Sequence, residues 1–328
     1  MAGLLSRRRP HVDLRARVGS VELACPVLTA AGTAGYGAEL GAFLDLSRLG
    51  AVVVKSLAAE PWAGNPAPRL LGTTGGMLNS VGLQGPGVAV WLAEHLPALE
   101  EAGATVVASI WGRTVEEFRR AAELLAASPR CVVAVEVNVS CPNLEDRDQI
   151  FAHAPSSTAA VVAATAGCGR PRWAKLSPNT DRLVDVAAAA RDAGAEAVTL
   201  VNTLVGMAID VDSRRPVLGA GGGGLSGPAL HPVAVRAVHD VHAAHPALPI
   251  VGVGGVADAT TAVELLLAGA SAVQVGTATF ADPRAPARVA AGLERWCRRH
   301  GVEGLDELVG AVHRLSQVPS QVSPAISR

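Results

Sequence analysis

Short apolar runs alternate along the chain with longer amphipathic or alanine-rich stretches. The apolar runs are rich in β-branched side chains, as in residues 132–137, which is typical of strands buried on both faces of a parallel sheet. The stretches between them have helical spacing. The predicted strands are residues 27–29, 51–54, 105–110, 132–137, 173–176, 197–201, 250–253 and 272–275, and the predicted helices are residues 114–127, 183–193, 232–244 and 259–267.

This alternation predicts an α/β fold with a parallel sheet and right-handed crossovers. Eight strand–helix units favour a closed (β/α)8 TIM barrel over an open, doubly wound sheet. Residues 12–18 and 21–23, joined around Gly19 and Ser20, predict a short N-terminal β-hairpin that covers the bottom of the barrel. No linker interrupts the pattern, so residues 1–328 are expected to form a single domain with loop insertions at its C-terminal face.

Composition argues against several kinds of partner and against a disulfide-stabilised or metal-binding protein. A net charge of −1 gives no reason to expect nucleic acid or an anionic membrane surface as a partner. No signal peptide or membrane span is visible. The five cysteines are widely spaced and odd in number, which argues against a disulfide framework or a metal site. A reducing cytoplasm is the expected location.

The most informative motif is Asn-Val-Ser-Cys-Pro-Asn at residues 138–143, directly after the fourth predicted strand. Ligands of parallel α/β folds bind at the carboxyl ends of the strands. Cys141 can ionise and take a proton, while Asn138 and Asn143 can each donate and accept hydrogen bonds. A lone cysteine is more often a small buried hydrophobe, but the polar neighbours favour a functional role here.

Two lysines stand at predicted strand ends, Lys55 after the second strand and Lys175 within the fifth. Lysine is almost never fully buried without a partner. Two cations at one barrel mouth indicate an electron-rich ligand, such as a phosphate, a carboxylate or a flavin ring that gains negative charge on reduction. The alternative is that each lysine pairs with a local acidic residue or points outward.

Glycines follow the seventh and eighth predicted strands, at Gly254-Gly255 and Gly276-Thr277. Barrels often hold a phosphate in these two loops, because glycine lets backbone N–H groups approach the oxygens and a nearby helix start adds attraction. Two further glycine-rich segments, residues 75–87 and 223–228, are expected to be polar loops over the site.

Five motifs are spread along the chain, at residues 29–33 (TAAGT), 64–69 (GNPAPR), 76–84 (GMLNSVGLQ), 138–143 (NVSCPN) and 202–208 (NTLVGMA). Together they resemble the class 1 dihydroorotate dehydrogenases over nearly the whole chain. The family is an FMN-binding (β/α)8 barrel that oxidises (S)-dihydroorotate to orotate in pyrimidine (UMP) synthesis. Residues 82–84 and 202–210 are more similar to the NAD-linked type 1B than to the fumarate-linked type 1A.

The resemblance implies a role for individual residues. Cys141 would be the base that removes the C5 proton while the C6 hydride passes to flavin N5, and Lys175 would lie near flavin N1. A cysteine at this position is a mark of class 1. The substrate-binding residues would be Lys55, Asn79, Gly82, Leu83, Asn138, Asn143, Asn202 and Thr203. The FMN-binding residues would be Ala30, Gly32, Lys55, Ser56, Asn138, Lys175, Val201, Gly227, Gly254, Gly255, Gly276 and Thr277.

The resemblance also implies partners. Type 1B barrels pair with themselves and with an electron-transfer subunit that carries FAD and a [2Fe-2S] cluster, which gives a heterotetramer. The chain shows no hydrophobic N-terminal extension, which argues against a quinone acceptor. Residues 144–148 (LEDRD), four of which are charged, stand where the family usually has a glycine-rich loop, and this leaves open a related barrel that acts on another dihydropyrimidine. A fumarate-linked enzyme and a non-enzymatic barrel that binds a phosphorylated metabolite also stay open.

Overall fold

The computed structural model describes residues 12–141 and 150–315. Its strands are β1 (Ala16–Val18), β2 (Val21–Leu23), β3 (Val27–Thr29), β4 (Val52–Val53), β5 (Leu70–Thr73), β6 (Gly76–Asn79), β7 (Val106–Ile110), β8 (Val132–Asn138), β9 (Arg172–Lys175), β10 (Ala197–Leu200), β11 (Leu204–Gly206), β12 (Ile209–Asp210), β13 (Arg215–Pro216), β14 (Gly223–Ser226), β15 (Ile250–Val253) and β16 (Ala272–Val275). Its α-helices are α1 (Val88–Val90), α2 (Leu96–Glu101), α3 (Val115–Leu125), α4 (Pro155–Ala164), α5 (Leu183–Asp192), α6 (His231–Ala244), α7 (Ala259–Ala268), α8 (Ala278–Ala281), α9 (Ala285–His300) and α10 (Ala311–Leu315).

Eight parallel strands form the barrel in the order β3-β16-β15-β10-β9-β8-β7-β4. The sheet closes because a parallel bridge between Leu28 and Ala51 joins β3 to β4. All eight predicted strands are present, and the four predicted helices correspond to α3, α5, α6 and α7 with ends that differ by a few residues. The (β/α)8 prediction is therefore confirmed.

Local sequence explains where two of the barrel helices begin. The hydroxyl of Thr114 accepts a hydrogen bond from the backbone N–H of Glu117 at 3.1 Å, which caps α3. The carboxylate of Asp258 accepts one from the N–H of Thr261 at 2.9 Å and caps α7 in the same way. Within the part of the chain that the structure describes, no helix is both long enough and apolar enough to cross a membrane.

The N-terminal hairpin of β1 and β2 lies at the bottom of the barrel, as the sequence predicts. Its turn donates a hydrogen bond from the N–H of Ser20 to the carboxylate of Glu196, which stands just before β10, at 2.8 Å. This end of the barrel is opposite the carboxyl ends of the strands, so the hairpin takes no part in the site described below.

A second sheet covers the other end and differs from the sequence-based expectation. Residues 76–79 and 223–226, expected to be loops, are strands β6 and β14 of a four-stranded antiparallel sheet in the order β11-β14-β6-β5. Glycine-rich strands carry a weak strand signal, and this pairing joins Asn79 to Gly224, which are far apart in sequence. The sheet forms a roof over the C-terminal mouth of the barrel.

Candidate active site

A cavity of about 670 Å³ lies between the barrel mouth and this roof. That volume is typical of small-molecule and cofactor sites. Cys141 does not line the cavity, and Asn143 lies outside the described residues. The structure brings all the other predicted site residues to the cavity wall: Ala30, Gly32, Lys55, Ser56, Asn79, Gly82, Leu83, Asn138, Lys175, Val201, Asn202, Thr203, Gly227, Gly254, Gly255, Gly276 and Thr277.

The floor of the cavity holds two carboxamides in a connected network. Asn202 donates from Nδ2 to Oδ1 of Asn138 at 3.1 Å, and Asn138 donates from Nδ2 to the hydroxyl of Ser56 at 3.4 Å. The hydroxyls of Ser56 and Ser109 lie 2.9 Å apart. The network connects side chains that follow or lie on four barrel strands, so it fixes which face of each amide is turned to a ligand.

The roof contributes Asn79 and depends on one glycine. Asn79 donates from Nδ2 to the carbonyl oxygen of Gly224 at 3.2 Å. A Cβ atom at position 224 would lie only 2.0 Å from Oγ1 of Thr203. Thr203 packs directly against the roof strand, and only glycine fits opposite it.

We therefore expect Gly224→Ala to displace Thr203 and disturb the roof. The cost of forcing extra volume into a packed site is about 1–3 kcal/mol of stability, and the KM for substrate should rise. Gly72→Ala is the matched control, because Gly72 lies in the same sheet and an added Cβ there would have nothing within 4 Å. Thermal unfolding and steady-state kinetics of both variants test this, and equal behaviour of the two would contradict it.

Lys55 and Lys175 are the only lysines in the chain, although it has 28 Lys and Arg residues in total, and both line the cavity. Lys175 is buried, and its Nζ lies 3.5 Å from Oε1 of Glu136, so this lysine has the local acidic partner that the sequence left open. Among the described residues, no carboxylate forms an ion pair with Lys55. Burial, together with the charge of Lys175, lowers the pKa of Lys55 to about 8. The cavity thus presents a cation that an anionic ligand would stabilise.

Cys141 lies behind the cavity wall. It is 1% exposed, and its Sγ lies 3.1 Å from the carbonyl oxygen of Gly112 and 3.2 Å from that of Asn138, so the single thiol proton is shared between two acceptors. Burial raises the pKa of the thiol to about 12. Carbonyl oxygens accept a proton and offer nothing to a thiolate, so both contacts also hold the sulfur in its protonated form. Asn138 lines the cavity, so the thiol contacts a residue of the cavity wall without lining the cavity itself.

Another part of the cavity wall consists of glycines whose backbone φ angles are positive, a conformation that favours glycine. Gly227, Gly254 and Gly255 have φ values of +96°, +137° and +68°. A Cβ at Gly255 would lie 2.6 Å from Cβ of His231, and the ring of His231 is fixed by a 2.7 Å hydrogen bond between Nδ1 and the carbonyl oxygen of Gly254. Bare backbone therefore faces the cavity, as phosphate binding at this end of a barrel requires.

Several residues of the cavity wall, among them Ser140, Gly224, Ser226 and Arg288, have no sequence signal strong enough to single them out. Ser140 lies inside the Asn-Val-Ser-Cys-Pro-Asn motif, and Gly224 and Ser226 lie inside a segment expected to cover the site, so the sequence indicates the segments but not these members. Ser226 accepts a hydrogen bond from the hydroxyl of Thr277 at 2.8 Å, which links the roof to the eighth barrel strand. Arg288, on α9, has no local signal, because only the folding of that helix against the barrel brings it to the rim.

Cations, carboxamides and bare glycine backbone meet in one cavity at the carboxyl ends of the strands of a closed (β/α)8 barrel. This arrangement defines a barrel enzyme with a site suited to an electron-rich, phosphate-bearing ligand. Within that class the chain belongs to the dihydroorotate dehydrogenase family, since the family model described as dihydroorotate dehydrogenase matches residues 13–296. The family resemblance inferred from the motifs is confirmed.

Individual relatives are similar over almost their full length. The catalytic subunit of dihydroorotate dehydrogenase B (NAD(+)) from Geotalea daltonii is 46% identical over 301 residues, which cover 92% of this chain and 98% of the relative. The protein of the same name from Desulforudis audaxviator is 48% identical over 298 residues, 90% of this chain and 96% of the relative. That from Trichlorobacter lovleyi is 44% identical over 296 residues, 90% and 97% of the two chains.

Proposed function

We propose that the protein oxidises (S)-dihydroorotate to orotate in pyrimidine synthesis, with FMN in the cavity, and that the electrons pass to NAD through a partner subunit. The observation that carries the proposal is the convergence of Lys55, Lys175, Asn138 and Asn202 on one cavity, with Cys141 directly behind its wall. Relatives that share 44% to 48% of their residues with this chain are named as catalytic subunits of the NAD-linked enzyme, which supports the same assignment.

The residues present fit FMN. The glycine end of the cavity offers exposed backbone at Gly254, Gly255 and Gly276 for a phosphate, and the other end offers two ammonium groups for the electron-rich side of a flavin ring. When bound, FMN supplies a two-electron acceptor. The residues that would hold it are Ala30, Gly32, Lys55, Ser56, Asn138, Lys175, Val201, Gly227, Gly254, Gly255, Gly276 and Thr277.

The substrate would be recognised by charge and by hydrogen bonds. Orotate and dihydroorotate carry a carboxylate and a ring edge of alternating donors and acceptors, which match the Lys55 ammonium and the amides of Asn79, Asn138 and Asn202. Gly82, Leu83 and Thr203 close the site around the ring, and Asn143 is proposed to join this set. A site built to hydrogen-bond those groups rejects analogues that lack them.

Cys141 is proposed as the base that removes the C5 proton. In the described conformation the thiol is buried and protonated, and its hydrogen bonds point to Gly112 and Asn138. Taking up a substrate proton requires the thiolate, so the sulfur must exchange these carbonyl contacts for contact with the substrate.

The assembly proposed for the protein follows its relatives. Their name as catalytic subunits is consistent with a separate electron-transfer subunit, for which we propose FAD and a [2Fe-2S] cluster, and with a heterotetramer built on a homodimer of this chain. All five cysteines are free thiols, which supports a reducing cytoplasm as the location.

An anaerobic visible spectrum of the purified protein, taken before and after addition of dihydroorotate, tests the proposal. A flavin band that bleaches supports both the cofactor and the substrate, and bleaching by dihydrouracil instead would move the substrate to another dihydropyrimidine. Absence of any flavin band after FMN has been supplied would overturn the proposal. Addition of NAD or fumarate to the reduced protein, with and without the partner subunit, identifies the acceptor.

A further inference from the structure

A cluster of three buried polar side chains lies beneath the cavity floor, inside the barrel. Glu136 on β8, Thr199 on β10 and Gln274 on β16 are each 0% exposed. None of the three lines the cavity. Buried polar groups cost stability unless they are paired, and a buried carboxylate costs most. Apolar side chains of similar volume would fill this space, so the cluster needs an explanation.

The cluster holds one carboxylate in a fixed orientation. Oε2 of Glu136 accepts a hydrogen bond from Nε2 of Gln274 at 2.7 Å and another from the hydroxyl of Thr199 at 3.1 Å. Oε1 makes no hydrogen bond to the described residues and lies 3.5 Å from Nζ of Lys175. Two strands therefore anchor one oxygen, and the other faces the lysine.

Strand register explains why Glu136 lies directly below the cavity. Asn138 pairs with Lys175 across β8 and β9, and both line the floor. Glu136 precedes Asn138 by two residues, so its side chain points to the same interior face, one layer deeper. The charge on Glu136 is therefore close to Lys175 but separated from any ligand by it.

We infer that Glu136 is a positioning residue that aims Lys175 at the ligand and sets how strongly this lysine stabilises negative charge in the cavity. Lys175 has a buried counter-charge, whereas Lys55 has no carboxylate partner among the described residues. Lys55 thus meets an anion without an offsetting carboxylate, whereas the charge of Lys175 is partly offset by Glu136. This difference between the two lysines rests on the proposed function, because it concerns the flavin that the cavity is proposed to hold.

The test is the midpoint potential of FMN bound to the full-length protein, together with the affinity for oxidised FMN. Reduced flavin carries more negative charge than oxidised flavin, so Glu136→Gln, which removes the offsetting charge, should favour the reduced form. We expect reduced FMN to gain about tenfold in binding over oxidised FMN, a shift of about +30 mV for a two-electron couple. An unchanged potential in E136Q with FMN bound would overturn the inference.

A Lys175→Met background separates action through the lysine from a direct or merely structural effect. The E136Q shift should be much smaller when Lys175 is absent, so the potentials of K175M and E136Q/K175M should differ by far less than those of wild type and E136Q. The double variant leaves no unpaired ion in the core, whereas each single variant leaves one, so thermal unfolding of all three shows whether a loss of folding comes from the broken pair. A shift of the same size in the K175M background would show that Glu136 acts without Lys175 and would refute the positioning role.

The lysine content of the chain gives a second readout that needs neither flavin nor activity. Protein labelled with ¹⁵N at lysine Nζ gives signals from only Lys55 and Lys175. E136Q should move the signal that K175M removes and leave the other nearly unchanged, and the opposite pattern counts against the inference. Failure of wild-type protein to bind FMN or to be reduced by dihydroorotate would instead contradict the proposed function, so the two failures are distinguishable.

Discussion

Replacement of Cys141 by alanine should lower the rate of flavin reduction by dihydroorotate by about 10²–10⁴-fold, which is the usual contribution of a positioned general base. FMN binding should be retained, because Cys141 does not line the cavity. The measurement is anaerobic stopped-flow reduction of the FMN-loaded protein. Cys131→Ala is the matched control, since this half-buried thiol precedes β8 at the opposite end of the barrel. Equal rates in the two variants would remove Cys141 from the mechanism.

The same step should depend on pH in a defined direction. With the pKa of Cys141 raised to about 12 by burial, the thiolate fraction increases about tenfold per pH unit below that value. The reduction rate at dihydroorotate concentrations well below saturation, which reports the ionisation of the free protein, should therefore rise with pH through the neutral range. A rate that is independent of pH there would assign the base to another group.

Replacement of Lys55 by methionine should weaken orotate binding to the FMN-loaded protein by about 10- to 150-fold. Hydrogen bonds to charged groups contribute about 1.5–3 kcal/mol, and each 1.4 kcal/mol is about tenfold in affinity. Lys55 is the residue expected to contribute most to orotate affinity, because it lines the cavity without a carboxylate partner among the described residues. Titration of the flavin spectrum with orotate measures the affinity, and an unchanged Kd would exclude Lys55 from the carboxylate site.

Orotate affinity should also fall as pH rises above about 8. Burial and the charge of Lys175 lower the pKa of Lys55 to about 8, so the ammonium that attracts the carboxylate is lost above that pH. Binding of the anion favours the protonated form, and orotate should therefore be bound together with a proton in this range. Lys55→Met should show neither the pH dependence nor the proton uptake. The same pH dependence in the variant would assign it to another group.

The barrel itself could be predicted because its signals are local. Each buried parallel strand is a short apolar run and each predicted helix has its own periodicity, so the pattern alone predicts eight strands and four helices. The strand ends then locate the chemistry, since parallel strands deliver their last residues to one edge. Asn138, Lys175 and Asn202 could be placed on the cavity in this way without knowledge of any contact.

The roof, the Glu136 cluster and the position of Cys141 depended on the tertiary structure. The roof joins Asn79 to Gly224, 145 residues apart, and the cluster joins Glu136 to Gln274, 138 residues apart, so no local pattern contains either contact. The sequence placed Cys141 beside the site but could not show that its thiol turns toward Gly112 and is buried. Side-chain type and spacing determine which groups reach the barrel mouth. Packing between distant segments determines which of these groups face the ligand, which are paired with an opposite charge and which are buried.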